Sequence, residues 1–216
     1  MAETFSEIEA RVVGALVEKQ LTTPEYYPLT LNALVSACNQ KNNREPVMTL
    51  DAEAVSKAID DLRDRNLVYV FYGSTSRVPK YKHMLPSYFS LEPDETALLA
   101  VLLLRGAQTL GELRERTGRM YTFDDLGQVQ EALDRLCRRP EPLVAKLERL
   151  PGRKEARFAH LLSGEVTQES VADALSSSGS RPSANGIGEL RDEIAALREE
   201  VAALKAEFAE FRKQFE

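Results

Sequence analysis

Apolar residues recur at helical spacing within the first twenty positions of the chain. The expected buried stripe is Ile8, Val12, Val13, Leu16 and Val17. Their mutual spacing places these side chains on one face of an α-helix, which should end near Gln20. Ser6 with Glu9 matches a capping box, in which each side chain satisfies a free backbone amide at a helix start. The pattern therefore predicts a helix that begins just after Ser6.

Two further helices are predicted downstream. Thr30 is a suitable cap for a second helix that reaches Cys38, and a loop dense in amides and cations follows over residues 39–48. A third helix should start near Leu50. Its core face is expected at Val55, Ala58, Ile59 and Leu62.

A β-hairpin should follow the third helix. Residues 67–72, LVYVFY, are β-branched and aromatic, residues 73–76 are turn formers, and residues 77–83 have the pattern of a return strand. Three helices followed by a hairpin is the order of a winged-helix domain.

The same order repeats along the chain. Residues 30–34, TLNAL, match residues 109–113, TLGEL, and residues 58–62, AIDDL, match residues 132–136, ALDRL. The second copy predicts helices at about 93–105, 110–116 and 125–138, and a hairpin within 143–161. The predicted fold class is mainly α with small β-hairpin wings, arranged as two winged-helix domains over residues 1–90 and 91–162.

The C-terminal part has a different pattern. Residues 163–186 are rich in Ser, Gly, Ala and Pro, which is typical of a flexible linker. A heptad repeat follows at Ile187, Leu190, Ile194, Leu197, Val201, Leu204, Phe208, Phe211 and Phe215. Its apolar spacing and the acid–base order of its flanks predict a parallel coiled coil over residues 187–216 that makes a homodimer. The alternative is a single amphipathic helix that folds back on the domains.

Charge is unevenly distributed along the chain. The net charge is −6, but residues 1–162 hold 22 basic and 23 acidic residues and are almost neutral. Binding to a polyanion would therefore depend on local patches. No apolar run reaches the roughly 18 residues of a membrane span, and the acidic start of the chain does not resemble a signal peptide. These features predict a cytoplasmic protein.

No catalytic constellation is visible. The motifs GxSxG, HExxH, GxxxxGK[ST] and GxGxxG do not occur, and His83 and His160 occupy equivalent late-hairpin positions in the two repeats. Cys38 and Cys137 have no metal-ligand spacing. We expect no enzyme activity, no metal and no cofactor.

Candidate DNA contacts are concentrated in the loop before the third helix and in the hairpins. The outward face of the third helix is acidic, whereas the hairpins are basic, and basic wings commonly contact phosphates. The candidates are Asn39, Gln40, Lys41, Asn42, Asn43, Arg44, Lys57, Arg77, Lys80, Lys82, Arg135, Arg138, Arg153, Lys154 and Arg157. The loop amides have an equally weighted alternative role, since Asn and Gln also cap helices and build turns.

Three segments carry a family resemblance. TTPEYYPLTLNALVSACNQKNNREPVM, FDDLGQVQEALDRL and LPGRKEARFAHLL closely resemble the YceH family of uncharacterised bacterial proteins. The similarity covers about residues 6–164. It implies a tandem winged-helix fold, a bacterial cytoplasmic setting and a C-terminal helical extension, and it brings no known reaction, ligand or catalytic residue.

Two functional hypotheses result. The first is a dimeric, non-enzymatic DNA-binding protein, a transcriptional regulator that uses its wings and the loop before the third helix to contact phosphates. The second is a protein-interaction scaffold without DNA binding, in which the acidic third helix and Tyr26–Tyr27 dock a protein partner.

Overall fold

The first half of the chain folds into three main helices and a small sheet. Its elements are α1 (Glu7–Thr22), β1 (Leu29–Thr30), α2 (Leu31–Cys38), α3 (Ala52–Asp64), β2 (Val68–Phe71) and β3 (Lys80–His83). The computed structural model describes residues 4–72, 78–148 and 155–164. Ser6 and Glu9 form the predicted capping box at the start of α1. Thr30 caps α2 as predicted, accepting from the amide of Ala33.

The second half repeats this order. After the short helix α4 (Leu85–Phe89) come α5 (Pro93–Arg105), α6 (Leu110–Thr117), α7 (Leu126–Cys137), β4 (Val144–Leu147) and β5 (Arg157–His160). Gly106 ends α5 with a positive φ of 67°. Across the described residues, seven α-helices and two small antiparallel sheets give a mixed α+β architecture.

The two sheets differ in size but share a register. The first has the strand order β1-β3-β2, and the second contains β4 and β5. Val68 opens β2 opposite His83, and Val144 opens β4 opposite His160. The two histidines therefore occupy equivalent positions, as the sequence repeat predicted.

The apolar core joins the two halves of the chain. The predicted core faces are confirmed for α3 and for most of α1, where Val12, Val13, Leu16 and Val17 are fully buried. α5 is buried over Glu95–Leu104 and packs against α1. Helices that are buried on all sides lie at the centre of a core. The fold is thus organised around the α1–α5 pair.

Gly14 lies where these two central helices approach most closely. A Cβ atom on Gly14 would lie 2.9 Å from Leu104 Cγ and 3.1 Å from Leu103 Cβ, closer than carbon atoms pack. Overpacking costs more than the helix propensity that alanine adds, so Gly14→Ala should lower the free energy of unfolding by about 1–2 kcal/mol. Urea denaturation measures this change.

Gly111 provides the matched control for that substitution. It is also a helical glycine, but a Cβ atom there meets nothing within 4 Å. Gly111→Ala should leave stability unchanged or raise it by up to about 1 kcal/mol. Equal effects at the two positions would contradict the close packing of α1 on α5.

Two elements of the structure, β1 and α4, were not predicted from the sequence, and the predictions for the C-terminal part fall on residues outside the described ranges. β1 and α4 are additional: β1 has only two residues, and α4 has five. The linker and the coiled coil, residues 163–186 and 187–216, lie outside the described residues except for Ser163 and Gly164. The domain boundary between residues 90 and 91 stays a prediction.

Candidate nucleic-acid interface

Arg44 holds the loop after α2 against α1. Its side chain is 0% exposed, and Nη2 lies 2.6 Å from Oε2 of Glu18. Nε and Nη2 also donate to the carbonyl oxygen of Ala37, at 3.1 and 2.9 Å. A guanidinium group in this position cannot reach a phosphate at the surface. This corrects the sequence prediction that Arg44 contacts DNA.

Glu18 is the buried carboxylate that balances this charge. Its side chain is 5% exposed. Burial alone opposes ionisation, but the hydrogen bonds and charge of Arg44 outweigh it, so the pKa of Glu18 lies below its ordinary value. Glu18 therefore stays ionised, and the pair links α1 to the loop after α2.

The amides of the loop are mainly structural. Asn39 exchanges two hydrogen bonds with the backbone of Leu50, at 2.7 and 2.8 Å, and so closes the loop. Gln40 accepts from Lys19 and Arg44. Asn43 has a φ of 60° and accepts from Arg105 at 3.3 Å. The turn-building alternative therefore accounts for these three amides.

Lys41 and Asn42 are the candidates from this loop that remain at the surface. Both are exposed, and among the described residues neither has a hydrogen bond or ion pair. On α3, Lys57 is likewise exposed. The neighbouring Arg63 pairs with Asp60 at 2.8 Å, which is an ordinary contact of a solvated helix face.

The first hairpin carries two of the predicted basic residues side by side. Lys80 lies opposite Phe71, and Lys82 lies opposite Tyr69. Nζ of Lys82 is 5.3 Å from the centre of the Tyr69 ring. Neither lysine has a carboxylate partner within the part of the chain that the structure describes. Arg77 lies outside the described residues.

Arg135 and Arg157, in the second half, are held in ion pairs. Arg135 contacts Asp94 at 2.5 Å and Glu95 at 3.1 Å, so it ties α7 to the start of α5. Arg157 contacts Glu112 at 3.0 Å and ties β5 to α6. These pairs give both arginines a role in joining elements of the fold, and their contact with DNA stays a prediction.

The other basic candidates of the second half are Arg138, Arg153 and Lys154. Arg138 is 81% exposed and touches Asp134 at 3.3 Å. Arg153 and Lys154 lie outside the described residues. Among the described candidates, the four lysines all lie in the first half: Lys41 and Lys57 are exposed, and Lys80 and Lys82 are half-buried.

The two tyrosines proposed for protein docking have different environments. Tyr26 is 72% exposed. The hydroxyl of Tyr27 accepts from the backbone amide of His83 at 2.8 Å, and burial raises the pKa of Tyr27. Tyr27 therefore anchors the hairpin, and protein docking by the segment Tyr26–Tyr27 stays a prediction.

A cleft of about 450 Å³ opens between α1, α5 and the end of α6. Its charged lining consists of Arg105, Arg116, Arg119, Glu18 and Glu115. Burial and the charge of Arg116 lower the pKa of Arg105. Because carboxylates share the walls with the arginines, the cleft has mixed charge and does not extend the cationic surface of the first half.

The described residues show neither a metal cluster nor a membrane helix. No three His, Cys, Asp or Glu side chains in this part of the chain are arranged to hold a metal ion. No described helix has the length and apolar character needed to cross a bilayer. Burial raises the pKa of the Cys38 thiol to about 12, so it stays protonated as a small core residue.

Sequence reasoning missed the exposed aromatic residues of β2. Tyr69 and Phe71 are 58% and 44% exposed, although both were treated only as strand formers. The alternation of side-chain faces along a strand could have revealed them. Because Val68 is buried, its neighbour Tyr69 points outward.

Comparison with known proteins places the chain in a family. The family model described as "Protein of unknown function, DUF480" matches residues 5–153. The chain belongs to the DUF480 family. The DUF480 chain is 52% identical to a UPF0502 protein of Citrifermentans bemidjiense and 50% identical to one of Geobacter metallireducens, with 100% of each chain covered. A UPF0502 protein of Opitutus terrae is 53% identical over 171 residues, which cover 79% of this chain and 74% of the relative. The resemblance to an uncharacterised bacterial family is confirmed.

Proposed function

We propose that this DUF480 chain is a dimeric, non-enzymatic DNA-binding protein that acts as a transcriptional regulator. Its scaffold is a tandem pair of winged helices. Two runs of three main helices followed by antiparallel strands support this interpretation. The heptad repeat of residues 187–216 supplies the dimer contact.

The observation that carries the proposal is a set of four lysines in the first half that differ from Lys19, which pairs with Glu18 at 3.6 Å, and from most of the arginines there. Arg44, Arg63 and Arg65 all form ion pairs with carboxylates. By contrast, Lys41, Lys57, Lys80 and Lys82 have no carboxylate partner among the described residues. A flexible ammonium group without a partner is suited to phosphate, because contact releases condensed counterions from the nucleic acid.

The salt dependence of binding to a 20-base-pair duplex tests this proposal. Each lysine that contacts a phosphate contributes about 0.9 to the slope of log affinity against log salt. Lys57→Gln and Lys80→Gln should each reduce the slope by about that amount and weaken binding roughly tenfold at 0.1 M salt, nearly independently of sequence. Fluorescence anisotropy measures both quantities.

Lys146→Gln is the matched control. Lys146 is an exposed lysine of the second half, whose Nζ lies 5.8 Å from the centre of the Phe158 ring. Its replacement removes the same charge and should leave the slope unchanged. If the three substitutions at Lys57, Lys80 and Lys146 reduce the slope equally, binding depends on net charge and not on a lysine site in the first half. Absence of duplex binding at low salt would overturn the proposal.

The second candidate function is a protein-interaction scaffold. It is favoured by the exposed acidic face of α3, which carries Glu53, Asp60 and Asp64, and by the exposed ring of Tyr26. A stoichiometric protein complex that persists after nuclease treatment, together with absence of DNA binding, would support this function over the first.

A further inference from the structure

The outer face of the first hairpin combines two aromatic rings with two lysines. Directly opposed residues of antiparallel strands share a face. The pairs Tyr69↔Lys82 and Phe71↔Lys80 therefore place four side chains on one side of the sheet. The pairs Val68↔His83 and Val70↔Tyr81 lie on the other side, where Val68 and His83 are buried in the core.

The rings of this face are accessible. Tyr69 is 58% exposed and Phe71 is 44% exposed. The two residues are separated by one position on the same strand, or about 7 Å along it. Each ring can therefore receive its own planar partner. Large apolar side chains that remain exposed together on one face mark an interaction surface more often than isolated ones do.

The second hairpin shows that the fold does not require these aromatic residues. Because His83 and His160 are in equivalent register, Tyr69↔Lys82 corresponds to Ala145↔Ala159. In the same way, Phe71↔Lys80 corresponds to Leu147↔Arg157. On this face the second hairpin forms the same ladder with alanine, leucine and arginine and without an aromatic residue. Among the described strand pairs of the two hairpins, exposed aromatic rings beside cations on this face are thus a feature of the first.

The guanidinium group of the second hairpin has a partner, whereas the ammonium groups of the first do not. Arg157 is bound by Glu112 at 3.0 Å. Lys80 and Lys82 have no carboxylate partner within the described part of the chain. The contact of Lys82 with Tyr69, at 5.3 Å, is an exposed cation–π contact. A stacked base stabilises an aromatic ring more than such a contact does, so a base can displace the ammonium group.

We propose that this face binds single-stranded nucleic acid. Tyr69 and Phe71 stack on unpaired bases, and Lys80 and Lys82 contact the phosphates that link them. Bases within a duplex already stack on their neighbours, so their faces are closed to protein rings. The proposal rests on the nucleic-acid function proposed above and adds a second ligand form: the lysines of this hairpin meet phosphates of either form, whereas its rings engage unpaired bases alone.

Anisotropy with two labelled probes tests the proposal on the full chain. The probes are a 20-nucleotide oligothymidine and a blunt 20-base-pair duplex of mixed sequence. Tyr69→Leu/Phe71→Leu removes both rings but keeps apolar side chains. Its affinity for the single strand should fall roughly 10- to 100-fold, while its affinity for the duplex should change less than about twofold.

Two further variants distinguish the loss of base stacking from the loss of folded structure. Tyr69→Phe keeps the ring and should bind the single strand within about twofold of the wild type, since stacking needs the π-face and not the hydroxyl. Tyr26→Leu removes a ring that is 72% exposed elsewhere on the protein and should also leave binding unchanged. Loss of single-strand binding in Tyr69→Phe would overturn the stacking role.

The outcomes distinguish failure of this inference from failure of the proposed function. If the wild type binds the duplex and the double variant binds both probes as the wild type does, the stacking face is wrong and DNA binding stands. If the double variant loses affinity for both probes equally, the face is not a site for single strands. If the wild type binds neither probe at low salt, both proposals fail. If this face binds a protein and the chain binds neither probe, both proposals also fail.

Discussion

Replacing Glu18 by alanine should lower the free energy of unfolding by about 3–5 kcal/mol, because it leaves the guanidinium group of Arg44 buried without a countercharge. The Arg44 side chain is 0% exposed, and its shortest ion-pair contact with Glu18 is 2.6 Å. Backbone carbonyls would still accept from Arg44, but they cannot neutralise its charge. Chemical denaturation of the variant and the wild type at pH 7 measures the change.

The matched variants are Glu18→Met, Arg44→Met and the double variant Glu18→Met/Arg44→Met. Removing both charges avoids an isolated buried ion, so the double variant should be more stable than the sum of the two single effects predicts. Some loss should remain, because the carbonyl of Ala37 loses its donors. A cost below about 1 kcal/mol for Glu18→Ala would show that solvent reaches the pair.

This pair also shows where prediction from the sequence fails. Arg44 stands in a polar run, and nothing in that run distinguishes it from Lys41. Its burial is decided by Glu18, which is 26 positions earlier in the chain. Local patterns identify which segments form helices, but a contact over this distance depends on how α1 and α2 pack. The candidate site was therefore predicted less well than the helices around it.

The fold was more predictable because it follows local periodicity. The stripe of α3, Val55, Ala58, Ile59 and Leu62, is buried as its spacing requires. The caps at Ser6 and Thr30 are short-range signals that the structure confirms. β1 was missed because two residues carry no period, and it forms only by pairing with β3.

The division between arginine and lysine gives a physical reason for the remaining candidates. Planar guanidinium groups satisfy several acceptors at once, which suits Arg135 and Arg157 to joining elements that are distant in sequence. Lysines make fewer fixed contacts and stay hydrated at the surface. Lys80 and Lys82 are therefore stronger functional candidates than Arg44, Arg135 and Arg157, which the sequence also suggested.

Acidification from pH 6.5 to pH 4 should destabilise the protein through His83. This ring is buried: Nδ1 accepts from the amide of Leu85 at 3.3 Å, and Nε2 contacts the side-chain oxygen of Gln20. Burial lowers the pKa of His83 from 6.5 to about 4. Between these values the unfolded chain binds the proton and the folded chain does not, so stability falls as the pH falls. The full loss is about 3 kcal/mol.

His83→Gln isolates this contribution, because its amide can still bond to Gln20 but does not titrate. In this variant the histidine-dependent fall in the free energy of unfolding on acidification should be about half as large. The other half remains because burial also lowers the pKa of His160 to about 4. Adding His160→Gln removes both titrating rings, and the chain contains only two histidines. Denaturant midpoints across this pH range should then fall less steeply than in the wild type. Parallel curves for the wild type and the double variant would mean that protonated imidazoles fit the fold as well as neutral ones, which the acceptor role of Nδ1 toward Leu85 opposes.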